Sequence, residues 1–426
     1  MTRILILGGG TAGTVMANRL ARLYRSELDA GRTAITVVDQ DDRHVYQPGL
    51  LFVPFGIYGV EEIVRERVQQ LLPGVAYLQA SIDRVDADRN VVLLGDGRHV
   101  AYDVLIVATG TRVAPEETEG MLGEGWQTKV FDFYTLDGAT KLHAALERFE
   151  GGRLVINPVD MPIKCPVAPL EFAFLADWYF TKRGIRDRIM LTYVTPLDAA
   201  FTKPVAAKSL GHLLAEKRIE MVTEFATGRV DGVQGKLVSW DDREVPFDLL
   251  VTVPLHSGAE FVGRSEGLGD DLKFVLTDSH TLQAKRKANI FALGDATNLP
   301  SSKAGSVAHF QGEILAENIR RFLAGEPLAP EFDGHSNCFI ETGFNKALLI
   351  DFNYEIEPLP GKYPLPGFGP MSLLRESRLN HLGKMLFRWV YWNVLLPGRD
   401  LPGIRPQMTM RGKRRVPHPA PEPAAL

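Results

Sequence analysis

The chain has 426 residues, of which 45% are hydrophobic and 23% charged, with a formal net charge of −4. That length accommodates two or three domains with sizeable cores, and the mild negative charge argues against a nucleic-acid partner, which asks for a strong basic excess. Two cysteines, Cys165 and Cys338, exclude a disulfide scaffold. No classical signal peptide is expected at the opening Met1-Thr2-Arg3-Ile4, and no run of about 18 apolar residues predicts a spanning helix.

In chain order, residues 3–7 read as a short buried strand, residues 11–30 as a helix and residues 34–39 as a second parallel strand. This βαβ unit predicts an open α/β sheet. Gly8, Gly10 and Gly13 form G-x-G-x-x-G between the strand and the helix. Glycine there permits a tight turn, close backbone approach to a pyrophosphate, and close helix–strand contact. Thr11 and Ala12 open the helix, whose free N–H groups suit phosphate. Asp39, followed by Gln40, ends the second strand, where a carboxylate can accept ribose hydroxyls. Residues 75–101 predict a small antiparallel piece, and Ala108-Thr109-Gly110 ends another buried strand. Near the end of the core, residues 289–293 predict a strand, Gly294-Asp295 a second glycine turn with a carboxylate, and Gly305 onward a helix. This trio of motifs resembles the two-dinucleotide-binding-domain flavoproteins of the disulfide-reductase-like class. The resemblance implies FAD, with Asp295 at the ribityl chain.

The expected fold class is therefore α/β, with two Rossmann-like dinucleotide-binding domains and a C-terminal membrane-anchoring region carrying an amphipathic helix. Residues 1–112 and 270–330 would form a discontinuous FAD-binding domain, 113–269 the second Rossmann-like domain, and 331–426 the C-terminal region. In the second domain the turn reads Asn157-Pro158-Val159-Asp160-Met161-Pro162. Prolines in place of glycines remove N–H donors that phosphates need, so a degenerate nicotinamide site is expected. Cys165 follows this turn directly. Lys164 and the start of a helix over 167–183 would favour its thiolate. No Cys-x-x-Cys exists, so any dithiol must draw on Cys338. No metal site is expected.

Here the resemblance narrows. The chain is similar to the sulfide:quinone oxidoreductases, with relatives in the flavoprotein subunit of flavocytochrome c sulfide dehydrogenase. The matching residues are the opening glycine loop, Pro48-Gly49, Lys164-Cys165, Ala168-Pro169, Glu171, Gly294-Asp295, Lys303 and Gln311. They continue with Cys338, Gly343, Lys346, residues 351–354, and Tyr391-Trp392-Asn393 with Leu396-Pro397-Gly398. The resemblance implies Cys165 and Cys338 as a redox pair on one face of the flavin, sulfide or a related sulfur compound as donor, and a membrane quinone as acceptor. It places Pro48, Lys303 and Gly305 at the cofactor. Glu171 handles protons near Cys165 or is a helix-surface carboxylate. Lys346 stabilises reduced flavin or a quinone oxygen, or is a plain surface lysine. Many relatives carry a third cysteine after the Ala-Thr-Gly strand, and residues 125–134 hold none.

At the C-terminus an amphipathic helix is predicted over 371–396. Leu373, Leu374, Leu382, Met385, Leu386, Trp389, Val390, Trp392, Val394 and Leu395 make an apolar surface, with Arg375, Arg378, Lys384 and Arg388 interleaved. This pattern suits a monotopic interfacial anchor and hence a peripheral membrane location; the other reading is a helix packed on the protein's own core or on a twin subunit. Arg411, Lys413, Arg414 and Arg415 would add attraction to anionic lipid. Tyr46, Phe339 and Trp392 are the candidates for a quinone pocket. A type II NADH:quinone dehydrogenase, a sulfide dehydrogenase feeding a cytochrome, and a non-catalytic flavin sensor or assembly subunit are the competing readings, and a homo-oligomer is left open.

Overall fold

The computed structural model describes residues 1–365 and 367–414. In the first α/β unit, β1 (Thr2–Leu7) leads into α1 (Thr11–Leu23), and β2 (Thr33–Asp39), β3 (Val75–Gln79) and β4 (Val104–Val107) follow. A short strand, β5 (Arg112–Ala114), then leaves the unit, and the chain enters the second one. There β6 (Val130–Phe131), α2 (Leu136–Arg148), β7 (Gly152–Pro158), α3 (Ala168–Lys182), β8 (Ile189–Val194), α4 (Pro204–Glu216), β9 (Ile219–Val222) and β10 (Leu249–Val253) follow in turn. The strand β11 (Leu255–Ser257) pairs antiparallel with β5 and returns the chain to the first sheet, which β12 (Ile290–Ala292) completes. Then comes α5 (Gly305–Leu323).

Both sheets are five-stranded and parallel, in the orders β12-β4-β1-β2-β3 and β6-β10-β7-β8-β9. Such sheets are covered on both faces, so their strands read as unbroken apolar runs. In β1, Ile4 and Ile6 pack with Met16 and Leu20 of α1 and with Ile314 and Leu315 of α5, while Leu5 and Leu7 face Val38, Leu105 and Phe261. Sheet order puts β1 and β2 beside one another and β12 two places from β1, so the three motif turns lie at the same carboxyl edge. This is where ligands of open α/β sheets sit.

Four elements differ from the sequence expectation. Residues 75–79, expected within a small antiparallel piece, form β3 and pair parallel with β2 at the edge of the first sheet. The helix predicted to residue 30 ends at Leu23; a separate short helix, Arg25–Asp29, follows, with no fully buried residue and Leu28 packed partly buried against the core. The loop predicted over 358–370 contains a hairpin, β15 (Gly361–Leu365) and β16 (Gly369–Leu373), which follows the hairpin β13 (Ser336–Gly343) and β14 (Lys346–Phe352). Pro364 and Pro370 lie opposite each other in this two-stranded ladder, where proline's missing N–H is tolerated. The C-terminal helix therefore starts later than residue 371: α6 spans Arg378–Val390, with the Ser377 hydroxyl accepting the Asn380 N–H at 3.0 Å. A serine N-cap of this kind is the start signal that the apolar pattern overran. A π-helical turn, Tyr391–Leu395, continues α6.

Candidate active site

The glycines of the first turn divide by what surrounds them. A Cβ on Gly8 would meet the Ala108 carbonyl oxygen at 2.6 Å, and one on Gly13 would meet the Gly8 carbonyl oxygen at 1.8 Å. These two allow the strand and helix to approach. At Gly10, Gly110 and Gly305 an added Cβ would meet nothing within 4 Å, so packing does not require glycine there. Space is left beside the N-terminus of α1, beside the end of β4 and beside the N-terminus of α5. Buried polar atoms without a protein partner lie at the same edge: Thr109 Oγ1, Thr111 Oγ1 and Gln311 Nε2, whose own Oε1 accepts the Gly294 N–H at 2.6 Å. An open cradle with unpaired donors fits a large polar cofactor of the dinucleotide type.

Asp39 accepts the Gly9 N–H at 2.6 Å and an Arg67 guanidinium N–H at 2.7 Å, and its other oxygen accepts the Gln40 N–H. Arg67, missed in the sequence because no motif marks it, thus fixes the carboxylate that shapes the turn. The Lys303 ammonium is spent on structure, donating to the carbonyls of Asp295 and Thr297 at 2.9 and 2.7 Å, and burial lowers its pKa to about 8. Its carbonyl in turn accepts the Cys165 N–H at 2.7 Å. One residue therefore ties the Gly294-Asp295 turn to the cysteine loop. Pro48 lies in the 3-10 turn Gln47–Leu51, and Gln47 accepts a hydrogen bond from the Lys164 ammonium.

Cys165 and Cys338 are 173 positions apart in the chain; Cys338 is buried in one large apolar cluster, and the partly buried Cys165 packs against it. Cys165 sits at φ +83° in the loop before α3, with its carbonyl accepting from the Tyr134 hydroxyl at 3.2 Å. Holding a non-glycine residue in this region costs of order 1–3 kcal/mol, which the surrounding bonds must supply. Cys338 lies in β13, opposite Ile350. Burial pushes both thiols up, Cys338 to about 12, with the Glu171 carboxylate adding to the effect and Lys384 opposing it. Burial thus opposes the thiolate expected at Cys165, and the Lys164 ammonium donates to Gln47 and the Tyr134 carbonyl.

Glu171 is not a surface carboxylate. It is buried in the first turn of α3, accepts the Glu341 N–H at 2.6 Å, and pairs with Lys384. Lys384 was expected among the basic residues of the outward helix surface; it points inward, donating also to the Phe339 carbonyl at 3.1 Å. The same inner face of α6 places His381 2.9 Å from Glu341 and pairs Arg388 with Glu62. Lys346, by contrast, is half-exposed beside the hairpin tip, 3.8 Å from Glu376 and five positions of strand beyond Cys338, about 16 Å away. It thus lies apart from Cys338, whereas Lys384 is close enough to act on both thiols.

Tyr46 and Trp392 are brought together, with ring centroids 6.4 Å apart, and Tyr391 completes the cluster at 4.8 Å from Tyr46. Arg65 caps the Trp392 ring at 4.2 Å, and the buried indole N–H has no partner among the described residues. Phe339 packs elsewhere, against Gly383 and under Lys384. Leu373, Trp392 and Leu395 are buried, so the apolar surface is narrower than expected. Lys413 is buried in an ion pair with Asp351, which also meets His335 at 2.7 Å; it is unavailable to lipid, whereas Arg411 and Arg414 are exposed. Arg415 lies outside the described residues.

Two histidines were also missed, because single histidines in apolar stretches carry no sequence signal. His44 and His256 are buried, and desolvation lowers both pKa values to about 3, with Arg67 adding to the effect at His44 and Lys164 at His256. Unfolded imidazoles take up protons near pH 6.5. Between that value and about 3 the unfolded chain thus binds more protons, so stability falls as pH is lowered. Each group contributes a slope of about 1.4 kcal/mol per pH unit. Urea unfolding at pH 7 and pH 5 measures this; equal stability at the two values would contradict it.

Paired parallel sheets and the cradle at the carboxyl edge of the first define a flavin-dependent oxidoreductase of the two-dinucleotide-binding-domain type. A family model described as pyridine nucleotide-disulphide oxidoreductase matches residues 2–157. The chain is 28% identical over 403 residues to the mitochondrial sulfide:quinone oxidoreductase of Mus musculus, covering 93% of this chain and 86% of that one. It is 27% identical to the Dictyostelium discoideum counterpart, covering 94% and 87%. The fold matches the sulfide:quinone oxidoreductase of Aquifex aeolicus with a TM-score of 0.77, at 20% identity and 92% coverage of each chain. A NADH dehydrogenase-like protein of Mycobacterium tuberculosis is 30% identical, over only 36% of either chain. Over nearly its whole length the chain is thus similar to sulfide:quinone oxidoreductases.

Proposed function

We propose that this protein oxidises sulfide through Cys165 and Cys338 and passes the electrons by way of FAD to a membrane quinone. The observation that carries the reading is that the chain's two cysteines, far apart in sequence, both feel the charges of one buried carboxylate–ammonium pair, Glu171 and Lys384. FAD, when bound there, supplies a two-electron carrier between a thiol pair and a quinone.

The residues divide the work. Gly8, Gly10, Gly13 and the first turn of α1 bind the pyrophosphate, Asp39 the ribose, and the Gly294-Asp295 turn the ribityl chain. Hydrosulfide attacks one sulfur of an oxidised Cys165–Cys338 pair; a sulfur–sulfur bond breaks, a persulfide forms on one cysteine, and the other leaves as thiolate. Since burial disfavours that thiolate, its charge has to be compensated, and Lys384 is the cation that lowers both thiols' pKa values. Glu171, whose pKa burial raises despite Lys384, is suited to hold and return a proton. In the second sheet, α3 begins ten residues after β7 ends, whereas α1 begins four after β1. No helix N-terminus follows that turn closely, which supports sulfide rather than NADH as donor. Sulfide-dependent reduction of a soluble quinone tests the reading; reduction by NADH alone would replace it with the NADH dehydrogenase class.

A quinone acceptor places the protein at a lipid surface. The outer face of α6 exposes Leu379, Leu382, Leu386 and Trp389, each by 51–59%, and Phe368 of the neighbouring hairpin by 80%. No helix among the described residues is long and apolar enough to cross a membrane, so the patch is read as an interfacial contact. Each such side chain contributes about 1.5–3 kcal/mol on burial. The triple variant Leu382→Glu, Leu386→Glu, Trp389→Ala is expected to lose vesicle binding by at least about 100-fold in a flotation assay; co-flotation at the wild-type level would contradict the docking face.

A further inference from the structure

The segment after α6 does not leave the body. It runs along α1, the helix whose N-terminus faces the cofactor cradle. The Tyr391 hydroxyl lies 2.7 Å from Thr11 Oγ1, at the first residue of α1, and 2.7 Å from His44 Nε2. Further along, Asn18 donates to the Leu396 carbonyl and Arg22 to the Pro397 carbonyl, both at 2.7 Å, while Arg19 pairs with Asp400 at 2.6 Å. Gly398, at φ +72°, passes so close that a Cβ there would meet the Arg19 backbone nitrogen at 2.7 Å. The contacts from Thr11 to Arg22 cover eleven residue steps, about 16 Å of helix.

Resting on the FAD reading, we propose that Tyr391 is a positioning residue for the dinucleotide: the strap of residues 391–400 clamps α1 along its length, and the Tyr391 hydroxyl sets the Thr11 end of the pyrophosphate-binding turn. The geometry asks for such a clamp. On its inner side α1 is fixed where Gly13 touches the Gly8 carbonyl, but at Gly10 the turn faces open space. An anion there is held by backbone N–H groups whose aim depends on how the first helical residue is seated. The only side chain that hydrogen-bonds to the Thr11 hydroxyl among the described residues is Tyr391, supplied from 380 positions away. Tyr391 is itself buried and held in place by His44 and by Tyr46 and Trp392. FAD affinity thereby depends on a segment that lies far in sequence from the G-x-G-x-x-G turn it contacts.

The test is FAD affinity of the deflavinated full-length chain, followed by flavin fluorescence. Tyr391→Phe keeps the ring and removes one hydroxyl; it is expected to weaken FAD by about fivefold to tenfold and to shift the phosphorus resonances of bound FAD. Thr11→Val is expected to weaken binding similarly, and the double variant to be no weaker than Thr11→Val alone, since both remove one interaction. Unchanged affinity in Tyr391→Phe, or losses that simply add in the double variant, would overturn the positioning role while leaving the cofactor reading intact. A wild-type chain that binds no FAD would overturn both.

Discussion

Serine in place of either Cys165 or Cys338 is expected to abolish sulfide-dependent reduction of bound FAD, a loss of about 1,000-fold or more, while FAD itself stays bound. The proposed step uses both thiols at once, so each variant should lose as much as the pair together. A serine hydroxyl neither forms the sulfur–sulfur bond that hydrosulfide attacks nor leaves as a stable anion in so desolvated a site. Neither cysteine lies in the glycine turns, so the visible flavin spectrum should persist. Anaerobic stopped-flow reduction separates the two effects. A Cys338→Ser protein reduced by sulfide at more than a tenth of the wild-type rate would mean that Cys165 works alone.

The second large effect is expected at the Lys384–Glu171 pair. Both groups are enclosed, and Glu171 also accepts a backbone N–H from β13. Removing one member of a buried pair leaves the other charge uncompensated, which costs about 3–5 kcal/mol. Lys384→Met is therefore expected to destabilise the protein by that amount in urea unfolding, and to raise the pH needed for sulfide-dependent reduction, since the cation that opposes thiol protonation is gone. Adding Glu171→Leu should recover most of the stability and none of the rate. A single variant within about 1 kcal/mol of wild type would show that the pair is solvated and not a charge element of the site.

Much of the cofactor half was legible because its chemistry is local. Gly8, Gly10, Gly13 and Asp39 fall within one βαβ unit, and glycine is required where backbone and ligand approach. The second half depends on contacts between distant segments, which pattern alone does not give. Lys384 and Lys413 read as surface cations, since lysine is rarely buried unless paired, and the partners that pair them, Glu171 and Asp351, lie on other elements. Lys346 matched the family by spacing yet sits beside the tip of a hairpin. The helix over 371–396 was overextended because β16 and α6 are both amphipathic, and only the Ser377 cap separates them. Arg67 and His44 belong to no motif, and Tyr391, though among the residues that carry the resemblance, shows nothing of its partners there; Arg67 is placed by Asp39 and Asp41, while His44 and Tyr391 meet where the C-terminal strap folds back on α1.

The most direct measurement is an anaerobic absorbance titration of the purified, flavin-loaded protein with sulfide and then with a soluble quinone. The account predicts bleaching of the flavin band at about one sulfide per flavin, full recovery on adding quinone, and no bleaching by NADH. A flavin band that sulfide leaves untouched, or that NADH alone bleaches, would contradict it.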